Sequence, residues 1–265
     1  MKSTPAHFFL ASWTLCQREM VRFYRQKSRI IGVIGSPLVF WFLIGSGLGG
    51  SFRHPEAQAS SMNYLEYFFP GTIVLIILFT SIFSTISIIE DRREGFLQSV
   101  IVAPVSRGSI AFGKILGGTF LALIQAAILL ALVPFLGISL SLASLLIVVF
   151  VLFLISFGLT GLGFIIAWKM DSTQGFHALM NLFLIPLWLL SGALFPPSGA
   201  SRWLGTLMKL NPLTYGIDAL RTSLYLSRTP PQDSSSLTTS IGVTVVFAFL
   251  MFMVSSSIVK RTEVG

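Results

Sequence analysis

The sequence predicts an all-α integral membrane protein with six transmembrane helices. Of its 265 residues, 54% are hydrophobic and only 11% are charged, whereas soluble domains carry about a quarter charged residues. The mean hydropathy is +0.83. The run from Leu142 to Trp168 contains no charged residue at all, and a soluble fold would not tolerate it. These observations place much of the chain in a lipid bilayer.

Six apolar runs are long enough to cross a bilayer, which takes about 20 mostly apolar residues. We expect them to form one transmembrane domain over residues 30–262, preceded by a cytoplasmic segment over residues 1–29. The predicted spans cover residues 30–51, 65–89, 109–136, 143–168, 174–195 and 238–259.

Lysine and arginine are distributed unequally between the two sides of this arrangement. The side that includes both termini carries 13 of the 18, and the other side carries 5. Because positive residues are retained in the cytoplasm, we predict that both termini are cytoplasmic and that the chain lies in a bacterial plasma membrane. The net charge of +8 is interpreted as a topology signal and an attraction to anionic membrane lipid, not as nucleic-acid binding.

Two glycine-containing stretches come close to nucleotide-binding motifs. "GSIAFGKI", residues 108–115, ends in Ile115 where a phosphate loop needs a hydroxyl, and "GSGLGG", residues 45–50, ends the first predicted span. A phosphate loop follows a strand and opens a soluble helix, which neither stretch does. Glycines four residues apart let membrane helices approach closely, so we predict helix packing and no nucleotide binding at both. We accordingly expect Lys114→Ala to leave function largely intact.

The segment before the first span is predicted to be an amphipathic helix. Thr4 can cap it, with Pro5 at its first position. An apolar stripe and a basic face both recur at helical spacing; they comprise Phe9, Trp13, Cys16, Met20 and Phe23, and Arg18, Arg22, Arg25 and Arg29. We expect this helix to lie in the cytoplasmic interface with its arginines toward lipid headgroups. A soluble coiled-coil arm is the alternative.

A short apolar segment separates the second and third spans. It is too short to cross a membrane and too apolar for a solvated loop, so we predict a short helix on the cytoplasmic surface. It is preceded by Arg92, Arg93 and Glu94 and closed by Pro104. Its contact face, against either lipid or another protein, would comprise four side chains at helical spacing: Phe96, Leu97, Val100 and Ile101.

Residues 196–236 form a long, partly apolar segment between the last two spans, with five prolines. Two apolar faces at helical spacing predict two short helices, broken at Asn211-Pro212. Backbone at membrane depth is stable only when it is buried in protein or lines a cavity, and we expect both helices to dip into the outer leaflet. Two amphipathic surface helices are the alternative.

Three stretches resemble the type-2 ABC-transporter permeases. They are "YLEYFFPG" at 64–71, "REGFLQSVIVAPVSRGSIAFGKILGG" at 93–118 and "PLWLLSGALFPPSGASRWLGTLMKLNPLTYGIDALR" at 186–221. The last is the most specific, since "SGALFP" and "NPLTYGIDALR" occur at the separation expected of that family. Its signature residues are Ser191, Gly192, Pro196, Asn211, Pro212, Tyr215 and Arg221.

The resemblance implies the membrane-spanning subunit of an ATP-driven exporter. In that family two permeases pair, here as an expected homodimer, and each docks one copy of a separate ATPase subunit. ATP and Mg would then be bound by the ATPase, and this chain would carry no catalytic residue, cofactor or metal. The helix at residues 92–103 would insert into a groove on the ATPase, with Arg92, Arg93 and Glu94 at the rim. A stand-alone secondary transporter and an intramembrane enzyme are the alternatives.

Few polar side chains lie inside the predicted spans. Thr80, Ser84 and Ser87 share a face of the second span, and His177 and Asn181 lie one turn apart on the fifth. They are the candidates for a substrate pathway, although hydroxyls in spans more often bond their own backbone or a neighbouring helix. Acidic residues occur only at span ends, which argues against an ion-driven transporter and suggests an apolar or amphipathic cargo.

Overall fold

In the computed structural model, the described residues are 5–25, 35, 38, 39, 41–44, 47, 64–197, 200–226 and 235–261. Their regular secondary structure is helical throughout, with no strand among these residues. The α-helices are α1 (Pro5–Tyr24), α2 (Tyr64–Ser84), α3 (Ile86–Arg93), α4 (Phe96–Val102), α5 (Arg107–Leu130), α6 (Leu142–Trp168), α7 (Thr173–Leu189), α8 (Arg202–Leu210), α9 (Pro212–Leu224) and α10 (Leu237–Arg261).

Four stretches of helix in the described part are long and apolar enough to cross a membrane. They are Tyr64–Arg93, formed by α2 and α3, and the helices α5, α6 and α10. They coincide with the predicted second, third, fourth and sixth spans. The first predicted span, 30–51, falls mostly outside the described residues, and the residues described within it are helical.

Two helices are shorter than the predicted spans. α5 ends at Leu130, and a 3-10 helix at Val133–Leu136 with Pro134 in its first turn follows it. α7 has 17 residues, or about 26 Å of helix, against a hydrocarbon core of about 30 Å. It ends early because the chain turns at Gly192, where φ is 75°. The predicted third and fifth spans were too long because the residues that follow α5 and α7 are also apolar, and hydropathy does not show where a helix ends.

Consecutive long helices alternate in direction, which gives the bundle two distinct ends. At the first, α3 ends, α5 begins, and Arg107 donates a hydrogen bond of 3.4 Å to the Val259 carbonyl near the end of α10. At the second, Trp188 near the end of α7 donates a hydrogen bond of 2.8 Å to the Gly71 carbonyl in α2. We call these the α4 end and the α9 end.

Close packing of α1 on α5 depends on two glycines. A Cβ at Gly113 would lie 2.5 Å from the carbonyl oxygen of Ser12, and one at Gly117 would lie 2.8 Å from Cβ of Glu19. Only glycine permits so close an approach between helices. The predicted packing role of this glycine pair is confirmed, whereas the pair Gly45 and Gly49 lies outside the described residues.

Candidate functional site

α4 is a helix of seven residues at the α4 end of the bundle. The chain enters it through Gly95, whose φ of 77° lies in the left-handed region that glycine adopts freely. It ends at Ala103, which is extended (φ −64°, ψ 151°) because the helical conformation is disfavoured before a proline, here Pro104. The predicted short helix between the second and third spans is therefore present, at Phe96–Val102.

The apolar side of α4 points into the protein. Leu97 is 3% exposed, and Phe96, Val100 and Ile101 are partly buried and pack against the core. The face predicted to contact lipid or another protein therefore packs in part within this chain, and Leu97 is the one of the four side chains that is fully buried. Helical spacing identified the apolar face but could not distinguish an internal partner from an external one. The outward side carries Gln98, Ser99 and Val102, and Val102 is 80% exposed.

Two arginines tie α3 to the turn between α6 and α7. Arg92 donates a hydrogen bond of 2.9 Å to the Asp171 carboxylate and another to the Trp168 carbonyl. Arg93 donates twice to the Asp171 carbonyl oxygen, at 2.7 and 3.0 Å. Both arginines, predicted to lie at the rim of a partner's groove, are hydrogen-bonded within this chain. The Glu94 side chain is 62% exposed.

Six ionisable side chains meet where α1, α3 and α5 come together. At the centre, Lys114 is 5% exposed and donates to the carboxylates of Glu19, at 2.7 Å, and Asp91. Arg18 binds both oxygens of Asp91, at 2.6 and 2.8 Å. Arg22 binds Asp91 at 2.9 Å and Glu90 at 2.7 Å. We call this set the charge cluster: Arg18, Glu19, Arg22, Glu90, Asp91 and Lys114.

The charge cluster is neutral, with three cations and three carboxylates, and its centre is buried while Arg18, Arg22 and Glu90 are partly exposed. Asp91 is 0% exposed and Glu19 is 5% exposed. A buried charge left without its partner is costly, so the bonds within the cluster are mutually dependent. Hydrogen bonds from Arg18 to Asp91 raise the pKa of Arg18 above its ordinary value; an arginine is charged throughout the physiological pH range even without such a shift.

The charge cluster corrects two sequence-based expectations. Arg18 and Arg22, expected to face lipid headgroups, donate to carboxylates of this chain. Lys114, expected to be dispensable, is the buried centre of the network. Glu19 and Lys114 are 95 residues apart, so no local pattern pairs them. One local signal was present: Asp91 and Lys114 are opposite charges at the facing ends of consecutive spans.

The stretch "GSIAFGKI" is part of a continuous helix. α5 begins at Arg107, and the side chain of Ser106 caps it by accepting a hydrogen bond of 3.2 Å from the Ser109 N–H. A phosphate-binding loop instead lies between a strand and a helix. The stretch is therefore helical and packs on α1 through Gly113, as the prediction of helix packing requires.

The face of α1 that packs on α5 overlaps the predicted apolar stripe only in part. Cys16 and Phe23 are buried, but Phe9 is 64% exposed and Trp13 is 50% exposed. The inward face follows the glycines of α5, with Ser12 against Gly113 and Glu19 against Gly117. The side chains that face α5 are therefore selected by close backbone approach and by charge, not by hydrophobicity alone.

Cys16 is expected to resist alkylation in the folded protein. Its thiol is fully buried, and burial, together with the charge of Glu19, raises its pKa from 9.0 to about 11. Because the thiolate is the reactive form, we expect a maleimide to label Cys16 at least about 100-fold more slowly in the native protein than after unfolding in SDS. Equal rates would contradict the packing of α1 on α5.

The five polar pathway candidates lie on two different surfaces. Thr80 donates to the Gln125 side chain of α5 at 2.5 Å, and Ser87 accepts a hydrogen bond of 3.3 Å from Lys114. Ser84 faces Gly118 of α5. These three hydroxyls are thus engaged in helix packing. By contrast, His177 and Asn181, the two candidates on α7, are exposed.

Signature residues build a hydrogen-bonded turn at the α9 end. The carbonyl of Gly192 accepts hydrogen bonds from Arg221, at 2.9 Å, and from the Tyr67 hydroxyl, at 3.1 Å. The Arg221 guanidinium lies 4.2 Å from the centre of the Tyr67 ring and 3.6 Å from the Asp218 carboxylate. We call these four residues the α9 clamp: Tyr67, Gly192, Asp218 and Arg221.

Asn211 organises the break between α8 and α9. Its side chain accepts a hydrogen bond of 3.0 Å from the Leu213 N–H and donates one of 2.6 Å to the Leu187 carbonyl of α7. Pro212 occupies the first turn of α9, where its missing N–H is tolerated. The other signature residues are also used internally: Ser191 donates to the Trp188 carbonyl, Tyr215 donates to the Lys209 carbonyl at 3.0 Å, and Pro196 is buried.

The two helices around this break differ in burial. α9 is packed into the bundle, with Leu213, Ile217 and Leu220 all buried. α8 exposes large apolar side chains, among them Trp203 at 68% and Leu210 at 75%. The signature therefore fixes α9 against α2 and α7 and leaves α8 at the surface.

Comparison with known proteins assigns the family. The family model of ABC-2 type transporters matches residues 11–225, a range that contains α4, the charge cluster and the α9 clamp. The chain belongs to this family of transport permeases.

Three relatives illustrate the range of similarity. Ycf38 of Cyanophora paradoxa, named as a transport permease, is 30% identical over 98% of this chain and 91% of its own length. DrrB1 of Streptomyces coeruleorubidus, named as a daunorubicin resistance ABC transporter permease protein, is 22% identical over 92% and 86%. YbhR of Escherichia coli K12, named as a multidrug ABC transporter permease, is 27% identical over 63% of this chain and 45% of its own length.

Proposed function

We propose that this chain is the permease subunit of an ATP-driven exporter that moves an apolar or amphipathic cargo outward. A separate ATPase subunit would bind ATP and Mg, with one copy docked on each of two identical permeases. Family membership supports this proposal. The relatives named for multidrug transport and for daunorubicin resistance support a drug as the cargo. A lipid or a lipid-linked glycan would be the other cargo of this apolar or amphipathic class.

The outward face of α4 is the observation that carries the proposal. The apolar side of this helix is fixed by its own chain, and the opposite side offers Gln98, Ser99 and the 80% exposed Val102. Arg92 and Arg93 fasten the neighbouring α3 to the α6–α7 turn. A rigid, preorganised helix that presents one apolar side chain among polar ones suits docking to a protein, because little ordering is needed on binding.

The proposed topology has six spans, with the α4 end in the cytoplasm of a bacterial cell. The alternation of α2–α3, α5, α6 and α10 supports it, as does the excess of lysine and arginine on that side. α7 would form a short fifth span, and residues 30–51 would supply the first. Both chain termini would then be cytoplasmic.

The exposed polar side chains of α7 support a homodimer. His177 and Asn181 lie on the outer surface of the described bundle, and a polar surface at membrane depth is costly unless it faces protein or water. A second permease opposite α7 would cover this surface, and the two copies would line the cargo pathway between them. Thr80, Ser84 and Ser87 are not part of this proposed pathway, because they pack on α5.

A stand-alone secondary transporter is the second candidate, and the buried Asp91–Lys114 pair is the observation that favours it. Buried carboxylates serve proton relays in such transporters. In this chain, however, the charge cluster lies at the very end of a span and each carboxylate has a cationic partner. Transport that persists after ATP is depleted, with the proton gradient intact, would favour this candidate.

Val102→Glu should weaken docking of the ATPase by at least about 30-fold, since an apolar anchor in an interface is worth about 2 kcal/mol. The new carboxylate would be desolvated without a partner. Affinity can be measured by surface capture of the purified permease in nanodiscs and titration with its ATPase. The fold should be unchanged because Val102 contacts solvent.

Phe135→Glu is the matched control for this test. Phe135 is 87% exposed and lies beyond α5 at the α9 end, so the same change of chemistry should leave ATPase affinity unchanged. Wild-type affinity in the Val102 variant would show that α4 is not the docking element.

A further inference from the structure

One side chain of α1, Arg18, contacts both α3 and α4, the two helices joined by the turn at Gly95. Arg18 binds both oxygens of Asp91, in α3, at 2.6 and 2.8 Å. Its guanidinium carbon lies 3.7 Å from the centre of the Phe96 ring, at the start of α4. Gly95 lies between these helices, and glycine offers little resistance to bending. Arg18 therefore restrains an otherwise soft junction.

The chemistry of the contact requires arginine. A planar guanidinium presents two parallel N–H donors to a carboxylate and at the same time stacks on an aromatic face. Lysine can pair with Asp91 but can neither bond both oxygens in that fork nor stack. The contact with Phe96 is also a cation–π interaction, which strengthens where water is excluded. The Arg18 side chain is 30% exposed, so it is partly shielded.

The restraint continues from α1 into α5. Asp91 is bonded to Lys114 of α5, and Lys114 is bonded to Glu19, the neighbour of Arg18 in α1. Arg18, Asp91, Lys114 and Glu19 thus form a closed circuit through three helices. The two-glycine contact described above also holds α1 directly on α5. α1 is consequently held firmly on α5, and it contacts the start of α4 through Arg18 and Phe96, with Arg22 and Glu94 3.7 Å apart beside them.

We propose that Arg18 is a positioning residue that couples α4 to α1, so that displacement of α4 by a docked ATPase is transmitted to α1 and from there to α5. The proposal rests on the proposed function, in which α4 is the docking helix. In this arrangement α1 moves as part of the transport machinery and does not simply anchor the chain to the membrane.

Hydrogen exchange in the intact complex tests this proposal. The permease with its ATPase, in nanodiscs, is compared without nucleotide and after trapping with ATP and vanadate. In the wild type, trapping should change exchange in both α4 and α1. In Arg18→Gln, the change in α4 should remain while the change in α1 falls at least about fivefold, because the bidentate, stacked contact is lost. Arg18→Lys should give an intermediate response.

Arg25→Gln is the matched control, since Arg25 is an exposed arginine of the same segment and should respond as the wild type does. A wild-type response of α1 in Arg18→Gln would overturn the proposal. So would loss of both thermal stability and bound ATPase in the glutamine and lysine variants alike, because Arg18 would then serve the fold alone.

Failure of the proposed function would give a different result. If the wild-type permease bound no ATPase, docking at α4 would be refuted before Arg18 is considered. The restraint itself can still be measured in the permease alone: Arg18→Gln should accelerate exchange in α4 more than in α5, because the two-glycine contact still holds α5 on α1. Unaltered exchange in α4 would overturn the restraint as well.

Discussion

Lys114→Met should destabilise the folded chain by about 3–5 kcal/mol, the cost of removing one partner from a buried ion pair. The substitution leaves the Glu19 and Asp91 carboxylates, 5% and 0% exposed, without the cation between them. Arg18 and Arg22 compensate Asp91 in part, but Glu19 keeps only a contact of 3.4 Å with Arg18. Methionine is similar in length to lysine and retains the packing. The loss in the free energy of unfolding therefore measures the contribution of the Lys114 charge.

Thermal unfolding in detergent, followed by size-exclusion chromatography, measures this effect. The midpoint should fall by on the order of 10 °C. Lys169→Met is the matched control, because Lys169 is exposed at the end of α6, and its midpoint should not change. Adding Asp91→Asn to Lys114→Met should recover part of the loss, since it removes a stranded charge. A Lys114 variant as stable as the wild type would show that the charge cluster is not a structural element.

Arg221→Ala should open the α9 end of the bundle and cost about 2–4 kcal/mol. The change removes the hydrogen bond to the Gly192 carbonyl and the contact with the Tyr67 ring, and it leaves Asp218, 8% exposed, without a cation. Because the clamp lies at the bundle end opposite α4, affinity for the ATPase should be retained while the α9 end becomes mobile.

Cysteine accessibility at the α9 end measures the opening. In a Cys16→Ser background, a cysteine placed at Ala193, which is fully buried, should react with maleimide at least tenfold faster, an estimate of about 1.4 kcal/mol in local opening. Arg202→Ala is the control, as Arg202 lies exposed on α8. If Arg221→Ala leaves Ala193→Cys as unreactive as the parent does, the clamp does not close this end.

Local sequence patterns predicted the elements of the fold well. The uncharged run of α6, the apolar α2 and α10, and the short α4 before Pro104 all follow from composition and spacing within one segment. A local motif also predicted that Gly113 and Gly117 pack against a neighbouring helix, although not that this helix is α1. In each of these cases the physical cause lies within about 30 consecutive residues.

Features that depend on distant residues could not be predicted in the same way. The direction of the apolar face of α4 is set by the core formed from other helices, so spacing in α4 alone could not show that Leu97 is buried within its own chain. The pairing of Arg18 with Asp91 spans 73 residues. The sequence showed that Arg221 belongs to a signature, but its contact with Tyr67 exists only because α9 returns to the start of α2.

Photolabelling with an azido analogue of ATP tests the central claim most directly. The 29.0 kDa permease is purified alone and in complex with its ATPase, irradiated with the analogue, and separated on a denaturing gel. If this chain is a permease driven by a partner, the label should appear on the ATPase only, and Val102→Glu should separate the labelled subunit from the permease. Specific labelling of the 29.0 kDa chain, competed by ATP, would contradict the account.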